Sequence, residues 1–274
     1  MTTTTRHTGS KFRRRVAGAL ALGTALLSAG ALYTVFAPQP QTATAQDDSR
    51  LVVQGQQVFD NHCISCHGAN LQGVADRGPS LIGVGSAATY FQVSTGRMPL
   101  ARQEAEAVRK HPLAELDAKT EEGARNIDAL EAFVQANGGG PTLPAERGEA
   151  LRGEDPARGG QLFRLNCASC HGATGHGAPL SAGKIAPSLN QASDKQIYAA
   201  MLSGPESMPV FSDNEITPSE KRAIITYIQT LKASKDPGGN GIDRIGPVSE
   251  ALVIWVGGIG AVMIAILWIG AKAR

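Results

Sequence analysis

Two copies of one short motif constrain this chain more than any other feature, because together they contain all four of its cysteines. They are Cys63-Ile64-Ser65-Cys66-His67 and Cys167-Ala168-Ser169-Cys170-His171. Two thiols separated by two residues and followed directly by histidine are typical of covalent c-type haem attachment, with the histidine as an iron ligand. The sequence therefore predicts two haem c groups and electron transfer. The predicted attachment sites are Cys63, Cys66, Cys167 and Cys170, and the predicted proximal iron ligands are His67 and His171.

Zinc binding and disulfide formation explain these cysteines less well. Structural zinc sites usually pair their two halves within about 20 residues, whereas the two motifs lie in opposite halves of this chain. A disulfide or a redox-active dithiol would account for one Cys-x-x-Cys pair, but it would leave the histidine after each pair without a role. Nucleic-acid binding is disfavoured, because the chain has no basic stripe with interleaved aromatic residues.

The surroundings of the two motifs repeat, which indicates a tandem duplication. The matched segments are Gly55-Gln56-Gln57-Val58-Phe59 with Gly159-Gly160-Gln161-Leu162-Phe163, Gly78-Pro79-Ser80-Leu81 with Ala186-Pro187-Ser188-Leu189, and Tyr90 and Gly96 with Tyr198 and Gly204. We therefore expect an all-α fold of two cytochrome c-like domains. Apolar residues at helical spacing predict opening helices over 51–61 and 158–166 and closing helices over 126–136 and 219–233. Phe59 and Phe163 are expected to pack against the closing helices.

The distal iron ligand of each haem is expected to be a methionine, whose soft thioether raises the reduction potential. Met98 is the single methionine of the first unit. The second unit has Met201 and Met208, of which Met201 is closer in sequence to the haem histidine. The repeat favours Met208, because Met208-Pro209 matches Met98-Pro99. No catalytic residue is expected, because an iron with both axial positions filled carries electrons and does not turn over substrates.

The C-terminal region carries a predicted transmembrane helix. Residues 251–271 are 21 residues without a charge, about 32 Å as a helix, which matches the hydrocarbon core of a bilayer. The 15 N-terminal residues include five basic and no acidic residues, and Lys272 and Arg274 end the chain. By the positive-inside rule, we expect the haem domains on the outer face of the cell membrane and the C-terminus in the cytoplasm.

The N-terminal hydrophobic segment has two interpretations. Residues 16–37 are uncharged and long enough to span a membrane. Ala43-Thr44-Ala45 resembles a cleavage site, so we favour a cleaved signal peptide over a retained helix. The expected organisation is a basic N-terminus with signal peptide or signal-anchor helix (1–46), cytochrome c domain 1 (47–137), a linker (138–157), cytochrome c domain 2 (158–234), a linker (235–248), the transmembrane helix (249–271) and a cytoplasmic tail (272–274).

The two units differ most between the methionine and the closing helix. Met98 and Phe133 are 35 residues apart, whereas Met208 and Tyr227 are 19 apart. The first unit therefore has an insertion rich in Glu and Lys, which we call the charged insertion (residues 102–125). We expect it to be a solvated loop; a docking element for a redox partner is the alternative. Three other histidines are expected to lie at the surface rather than to bind iron: His62, His111 and His176.

Together these features resemble the dihaem cytochrome c subunit, or cytochrome cc, of actinobacterial cytochrome bc1 complexes. Besides the haem motifs, the resemblance is carried by Gly68-Ala69-Asn70-Leu71-Gln72-Gly73, Gly78-Pro79-Ser80-Leu81-Ile82-Gly83-Val84-Gly85, Tyr90-Phe91-Gln92-Val93-Ser94-Thr95-Gly96-Arg97-Met98-Pro99 and Leu267-Trp268-Ile269-Gly270-Ala271. It covers nearly the whole chain. Its specific element is the tandem order of haem motifs followed by one C-terminal helix.

The resemblance implies a respiratory, proton-translocating quinol–cytochrome c reductase, in which this chain is the electron carrier and the complex is the enzyme. It implies that quinol, expected to be menaquinol, is oxidised at a cytochrome b subunit. The Rieske iron–sulfur subunit would then reduce the first haem, and the second haem would reduce the copper centre of an aa3-type oxidase in a supercomplex. Two alternatives stay open: a membrane-tethered dihaem cytochrome c that serves another dehydrogenase or terminal reductase, and a dihaem peroxidase, against which a methionine at both distal positions argues.

Overall fold

A computed structural model of the chain describes residues 9–36, 42–102, 107–234 and 247–272. The described residues are mostly helical, which confirms the predicted fold class. The helices are α1 (Gly9–Phe36), α2 (Thr42–His62), α3 (Ile64–His67), α4 (Gly85–Ser94), α5 (Glu121–Gly138), α6 (Pro156–Asn166), α7 (Ala168–His171), α8 (Asp194–Ser203), α9 (Pro218–Ala233) and α10 (Pro247–Lys272). A small antiparallel hairpin, β1 (Ala178–Pro179) and β2 (Ile185–Ala186), was not predicted.

In each domain, the opening helix crosses the closing helix, and the same kind of crossing forms the core of both domains. In the first domain, which contains α3 to α5 and the end of α2, Phe59 is fully buried and its ring centroid lies 5.2 Å from that of Phe133. In the second domain, which contains α6 to α9, Phe163 is fully buried and its ring centroid lies 5.4 Å from that of Tyr227. Tilted aromatic pairs at these distances stabilise a core beyond the area that they bury. The predicted packing of both phenylalanines is confirmed.

A glycine in each opening helix permits this crossing. A Cβ atom at Gly55 would lie 1.9 Å from the carbonyl oxygen of Ala129, and one at Gly159 would lie 2.0 Å from that of Ala223. Neither distance leaves room for a side chain. The opening helix can therefore approach the backbone of the closing helix this closely only because glycine has no Cβ atom. The close approach explains why the repeat has glycine at both positions.

Side-chain caps fix where the closing helices begin. Thr120 Oγ1 accepts a hydrogen bond from the Gly123 amide at 3.0 Å, so α5 starts at Glu121 rather than at the predicted residue 126. Thr217 and Glu220 form a reciprocal capping box at the start of α9. Acidic residues in the first turn of each helix also favour these starts, because their negative charges interact favourably with the positive end of the helix dipole.

The charged insertion is not a solvated loop throughout. Leu116 is 1% exposed and belongs to the core of the first domain, and Ala107 is also buried. The Glu115 carboxylate contacts His62 Nε2 at 2.9 Å, and the Glu115 carbonyl accepts a hydrogen bond from Asn126 Nδ2 at 3.0 Å. The expectation of a solvated loop is wrong for these residues, because one leucine among many charges attaches the insertion to its own domain.

The two domains pack through equivalent helices. The short helix of the first domain, α4, lies against the short helix of the second, α8. Gln196 Nε2 of α8 donates hydrogen bonds to Ser94 of α4, at 3.1 Å to its side chain and 3.2 Å to its carbonyl. Tyr90 in α4 and Tyr198 in α8, which the repeat aligns, are both buried. The duplicated halves therefore meet at the same element of each.

Two apolar helices lie outside the haem domains. Within α10, the stretch Ala251–Lys272 has a mean hydropathy of 2.5 and is long enough to cross a membrane, as predicted for residues 251–271. The apolar stretch of α1, Arg15–Ser28, is shorter and belongs to the first of two compact units, Met1–Asp47. Cleavage of the N-terminal segment stays a prediction, and most of the second linker (235–246) lies outside the described residues.

Candidate haem sites

Each haem motif folds as a single helical turn that gathers its cysteines and histidine. In the first, the amides of Cys66 and His67 donate hydrogen bonds to the Cys63 carbonyl at 3.1 and 2.9 Å. In the second, the amides of Cys170 and His171 reach the Cys167 carbonyl at the same two distances. All four thiols are free and half-buried. The turn therefore brings two sulfurs and one imidazole together, and the backbone hydrogen bonds that form it are the same in both domains.

A proline carbonyl orients each histidine ring. His67 Nδ1–H donates a hydrogen bond to the carbonyl oxygen of Pro79 at 2.8 Å, and His171 Nδ1–H donates one to that of Pro187 at 3.0 Å. Such a bond fixes the tautomer and leaves Nε2 as the nitrogen that can bind a metal. This role of the two prolines was not predicted, although the repeat contains both in equivalent positions.

Burial suppresses the reactivity of the first cysteine of each motif. It raises the pKa of the Cys63 thiol to about 12 and that of the Cys167 thiol to about 11, and the second cysteine of each motif adds to the rise. Because the thiolate is the reactive form, burial disfavours the reactive form of these two cysteines.

The methionines predicted as distal ligands lie in equivalent loops. Met98 is half-buried beside the core of the first domain, after Gly96 ends α4 with a φ of +68°. Met208 is half-buried beside the core of the second domain, after Gly204 ends α8 with a φ of +56°. Met201 is 2% exposed, inside α8 and within the core. A side chain that binds the haem iron must face the haem instead of packing inside the protein core. The partial burial of Met208 therefore favours it over Met201 as the ligand.

The residues of each site fit a haem group. The two thiols on one turn would hold the porphyrin covalently, and the free Nε2 of the oriented histidine would bind its iron. The half-buried thioether beside each core would supply the soft ligand that raises the potential of cytochromes c. When bound, the haem supplies one-electron chemistry, which none of these side chains can perform.

Comparison with known proteins agrees with this geometry. The family model described as Cytochrome c matches residues 52–137, and the one described as Cytochrome C oxidase, cbb3-type, subunit III matches residues 154–228. The cytochrome bc1 complex cytochrome c subunit of Mycobacterium tuberculosis (strain ATCC 25618 / H37Rv) is 48% identical over 97% of this chain and 95% of its own length. The protein of that name from Corynebacterium efficiens is 50% identical over 96% of this chain and 91% of its own length. This chain belongs to the same family.

Membership among the cytochrome bc1 complex cytochrome c subunits confirms the resemblance inferred from the sequence. It makes the chain an electron carrier of the cytochrome c type, and its cytochrome c domains imply covalently bound haem c. A solved structure, reduced recombinant cytochrome c4 from Pseudomonas stutzeri, matches at a TM-score of 0.23 with 20% identity, over 64% of this chain and 95% of that chain.

A buried ion pair joins the two domains of this cytochrome c subunit. Lys195 Nζ in α8 lies 2.8 Å from Glu131 Oε1 in α5 and 3.9 Å from the ring centroid of Tyr90 in α4. The Lys195 and Glu131 side chains are 9% and 10% exposed. Burial raises the pKa of Glu131 to about 7, although the Lys195 ammonium opposes the rise. One cation of the second domain thus satisfies an acid and an aromatic face of the first.

The charged insertion also contacts the second domain. Arg109 Nη2 donates a hydrogen bond to the Gln191 carbonyl at 3.2 Å and approaches Gln196 Oε1 at 3.4 Å. The Ala107 amide donates to Glu206 Oε1 at 3.1 Å. Glu206 precedes Met208 by two residues, so the insertion ties the methionine loop of the second domain to the first domain.

Proposed function

We propose that this chain is the dihaem electron relay of a respiratory cytochrome bc1 complex. Two haem c groups would be attached through one set of residues in each domain. The first set is Cys63, Cys66, His67 and Met98, and the second is Cys167, Cys170, His171 and Met208. The observation that carries the proposal is the duplicated turn, in which two free thiols stand beside a histidine that a proline carbonyl orients.

We propose that electrons enter at the first domain and leave from the second. The Rieske iron–sulfur subunit would reduce the first haem after quinol oxidation at the cytochrome b subunit, and the second haem would reduce the copper centre of an aa3-type oxidase. Packing of α4 on α8 and the Lys195–Glu131 pair support a fixed arrangement of two sites. A fixed arrangement suits a relay, because the chain then has no need to diffuse between the two complexes.

We propose that α10 anchors the chain with the haem domains outside the cytoplasm. The apolar stretch Ala251–Lys272 supports a single span. Lys272, at its end, lies with its Nζ 4.5 Å from the ring centroid of Trp268, a pairing suited to the membrane interface. Basic residues at both ends of the chain favour the cytoplasmic side for each end.

Purification of the tagged full-length chain in mild detergent tests the assignment. We expect cytochrome b, the Rieske subunit and aa3-type oxidase subunits in the same particle, and quinol-driven oxygen uptake by it. Recovery with a different dehydrogenase or terminal reductase would support the membrane-tethered alternative instead. Peroxide-dependent turnover by the isolated reduced chain would support a peroxidase.

A further inference from the structure

One buried arginine next to a proposed iron ligand has no anionic partner among the residues that the structure describes. Arg97 directly precedes Met98 and is 8% exposed. Its guanidinium carbon lies 4.8 Å from the ring centroid of Phe91, a cation–π contact that leaves the edge of the guanidinium available for hydrogen bonding. Its Nε is fully buried and makes no hydrogen bond with any residue that the structure describes.

The charges around Arg97 do not neutralise it. Within the described part of the chain, Arg109 and Glu206 are the charged groups whose fields reach it. Glu206 Oε1 already accepts the Ala107 amide at 3.1 Å, and no ion pair joins Arg97 to a carboxylate within residues 42–102 and 107–234. Two guanidinium groups therefore face one carboxylate. A buried cation without a hydrogen-bonded anion is costly, so a bound anion would stabilise this arrangement.

The helix α4, which precedes the loop that carries Met98, holds a second unpaired atom. Gln92 Oε1 is buried and makes no hydrogen bond with the described residues, while the Gln92 carbonyl accepts the Met98 amide at 3.0 Å. By contrast, Arg222 of the second domain, whose Nε is also unpaired, has an ion pair from Nη2 to Glu146 at 2.6 Å. Of the two described arginines with an unpaired buried Nε, Arg97 is thus the one without an ion pair.

We propose that Arg97 binds a propionate carboxylate of the haem in the first domain. A haem has two propionates at one edge, and a guanidinium binds a carboxylate through two parallel N–H···O bonds. The inference rests on the proposed ligation of that haem by Met98. It is specific to the first domain, because the repeat places Ser207 before Met208, and Ser207 Oγ accepts a hydrogen bond from Lys184 Nζ at 2.6 Å.

Replacement of Arg97 in the full-length chain tests the proposal. In Arg97→Met, the resonance Raman bending mode of the propionates of the first haem should shift, because one carboxylate loses its hydrogen bonds. The potential of that haem should fall, since an unneutralised carboxylate favours ferric iron. We expect about a tenfold change in the equilibrium between the two oxidation states, which is about 59 mV for one electron. The second haem should not change.

Arg125→Met is the matched control. It removes the same charge from the same domain, but the Arg125 side chain is 59% exposed and pairs with Glu121 at 2.5 Å. It should move neither the Raman mode nor the potential. In Arg97→Lys, the charge stays and the bidentate geometry is lost, so the Raman mode should shift while the potential stays near that of the parent chain. This variant keeps the test available if Arg97→Met does not accumulate with haem.

Two results would overturn the assignment. If the potential falls in Arg97→Met without a Raman shift, Arg97 acts only through its electric field or pairs with a carboxylate of the chain. If neither quantity changes in Arg97→Met or Arg97→Lys, Arg97 does not contact the haem. The methionine-to-iron band in the ferric spectrum separates this failure from failure of the proposed ligand, because it should persist in both Arg97 variants and be lost only if Met98 is not bound.

Discussion

The two domains of this cytochrome c subunit agree around their cysteines and differ in how the methionine loop returns to the closing helix. In the second domain the return is short, and the fully buried Lys221 holds it by donating from Nζ to Asp213 and to the Ile216 carbonyl, both at 2.7 Å. In the first domain the return is the charged insertion, which reaches the neighbouring domain through Arg109 and Ala107.

This difference separates what a haem site requires from what it tolerates. The single-turn motif, the proline carbonyl on the histidine and the glycine at the helix crossing occur in both copies. The loop after the methionine needs only contacts that fix its position, and the two domains provide these contacts in different ways. The second domain supports its own loop, whereas the insertion of the first domain supports itself on Leu116 and then bridges to the second domain.

The largest effect should come from removing either haem, because a linear relay has no second route. Cys63→Ala with Cys66→Ala and Cys167→Ala with Cys170→Ala should each reduce quinol-driven oxygen uptake to background. The two variants should differ in their trapped states. Quinol should leave the second haem oxidised in the first variant, and it should reduce the first haem without reoxidation by oxygen in the second. The reverse pattern would show that electrons enter at the second domain.

The next effect should follow loss of a distal ligand. Met98→Ala and Met208→Ala should keep haem covalently bound while lowering the potential of one haem each and removing its methionine-to-iron band. Met201→Ala is the control: it removes a buried core side chain and should cost about 2–5 kcal/mol of stability, but both bands should remain. A lost band in Met201→Ala with intact bands in Met208→Ala would contradict the assignment of Met208.

The charged insertion should contribute to stability through one side chain. Leu116 is 1% exposed, so Leu116→Ala should destabilise the first domain by about 2–3 kcal/mol through lost burial and a cavity. Leu113→Ala, three residues earlier and 40% exposed, should change stability by less than about 0.5 kcal/mol. Thermal unfolding followed at the first haem measures both. Equal effects of the two variants would mean that the insertion is a solvated loop after all.

The smallest effect should be a pH-dependent loosening between the domains. Folding raises the pKa of Glu131 from 4.5 to about 7 through burial, so its protonated form stabilises the fold fully below pH 4.5 and this contribution is lost as the pH rises to about 7. Lys195→Met removes the opposing cation, so the pKa rises further and ionisation above pH 7 costs more. The variant should lose about 1–2 kcal/mol at pH 9 and less at pH 6.

Hydrogen exchange in α4 and α8 measures this loosening locally. The control is Lys119→Met, which removes an exposed cation of the first domain and should leave exchange in both helices unchanged. A loss in Lys195→Met that is the same at pH 6 and pH 9 would show that Glu131 does not titrate in this range.

The sequence predicted the parts of each site that side chains specify. The haem motifs, the methionine loops and the helices that carry Phe59 and Phe163 all have local signatures. The proline carbonyls on the two histidines were missed, because a backbone acceptor has no residue type of its own. The repeat was the available signal, since it contains Pro79 and Pro187 at matching positions.

Contacts between distant segments were beyond sequence reasoning. Leu116 has one other leucine near it in the charged insertion, the exposed Leu113, and two leucines are too few for a periodicity that would mark a core position. The Lys195–Glu131 pair depends on how two folded domains meet, and each partner has the residue type of a solvated helix surface. The hairpin of β1 and β2 has strands of two residues, too short for an alternating pattern.

The contact between α4 and α8 has the character of a dimer interface made within one chain. Duplicated helices of 10 residues each face one another, as the same patch of two identical subunits does across a two-fold axis. The linker between the domains turns such an association into an intramolecular one, with an effective concentration on the order of millimolar. The association of the two domains is thus independent of protein concentration. A sequence change in one helix, such as Lys195 in α8, alters one side of the contact, whereas in a dimer of identical subunits it would alter both sides.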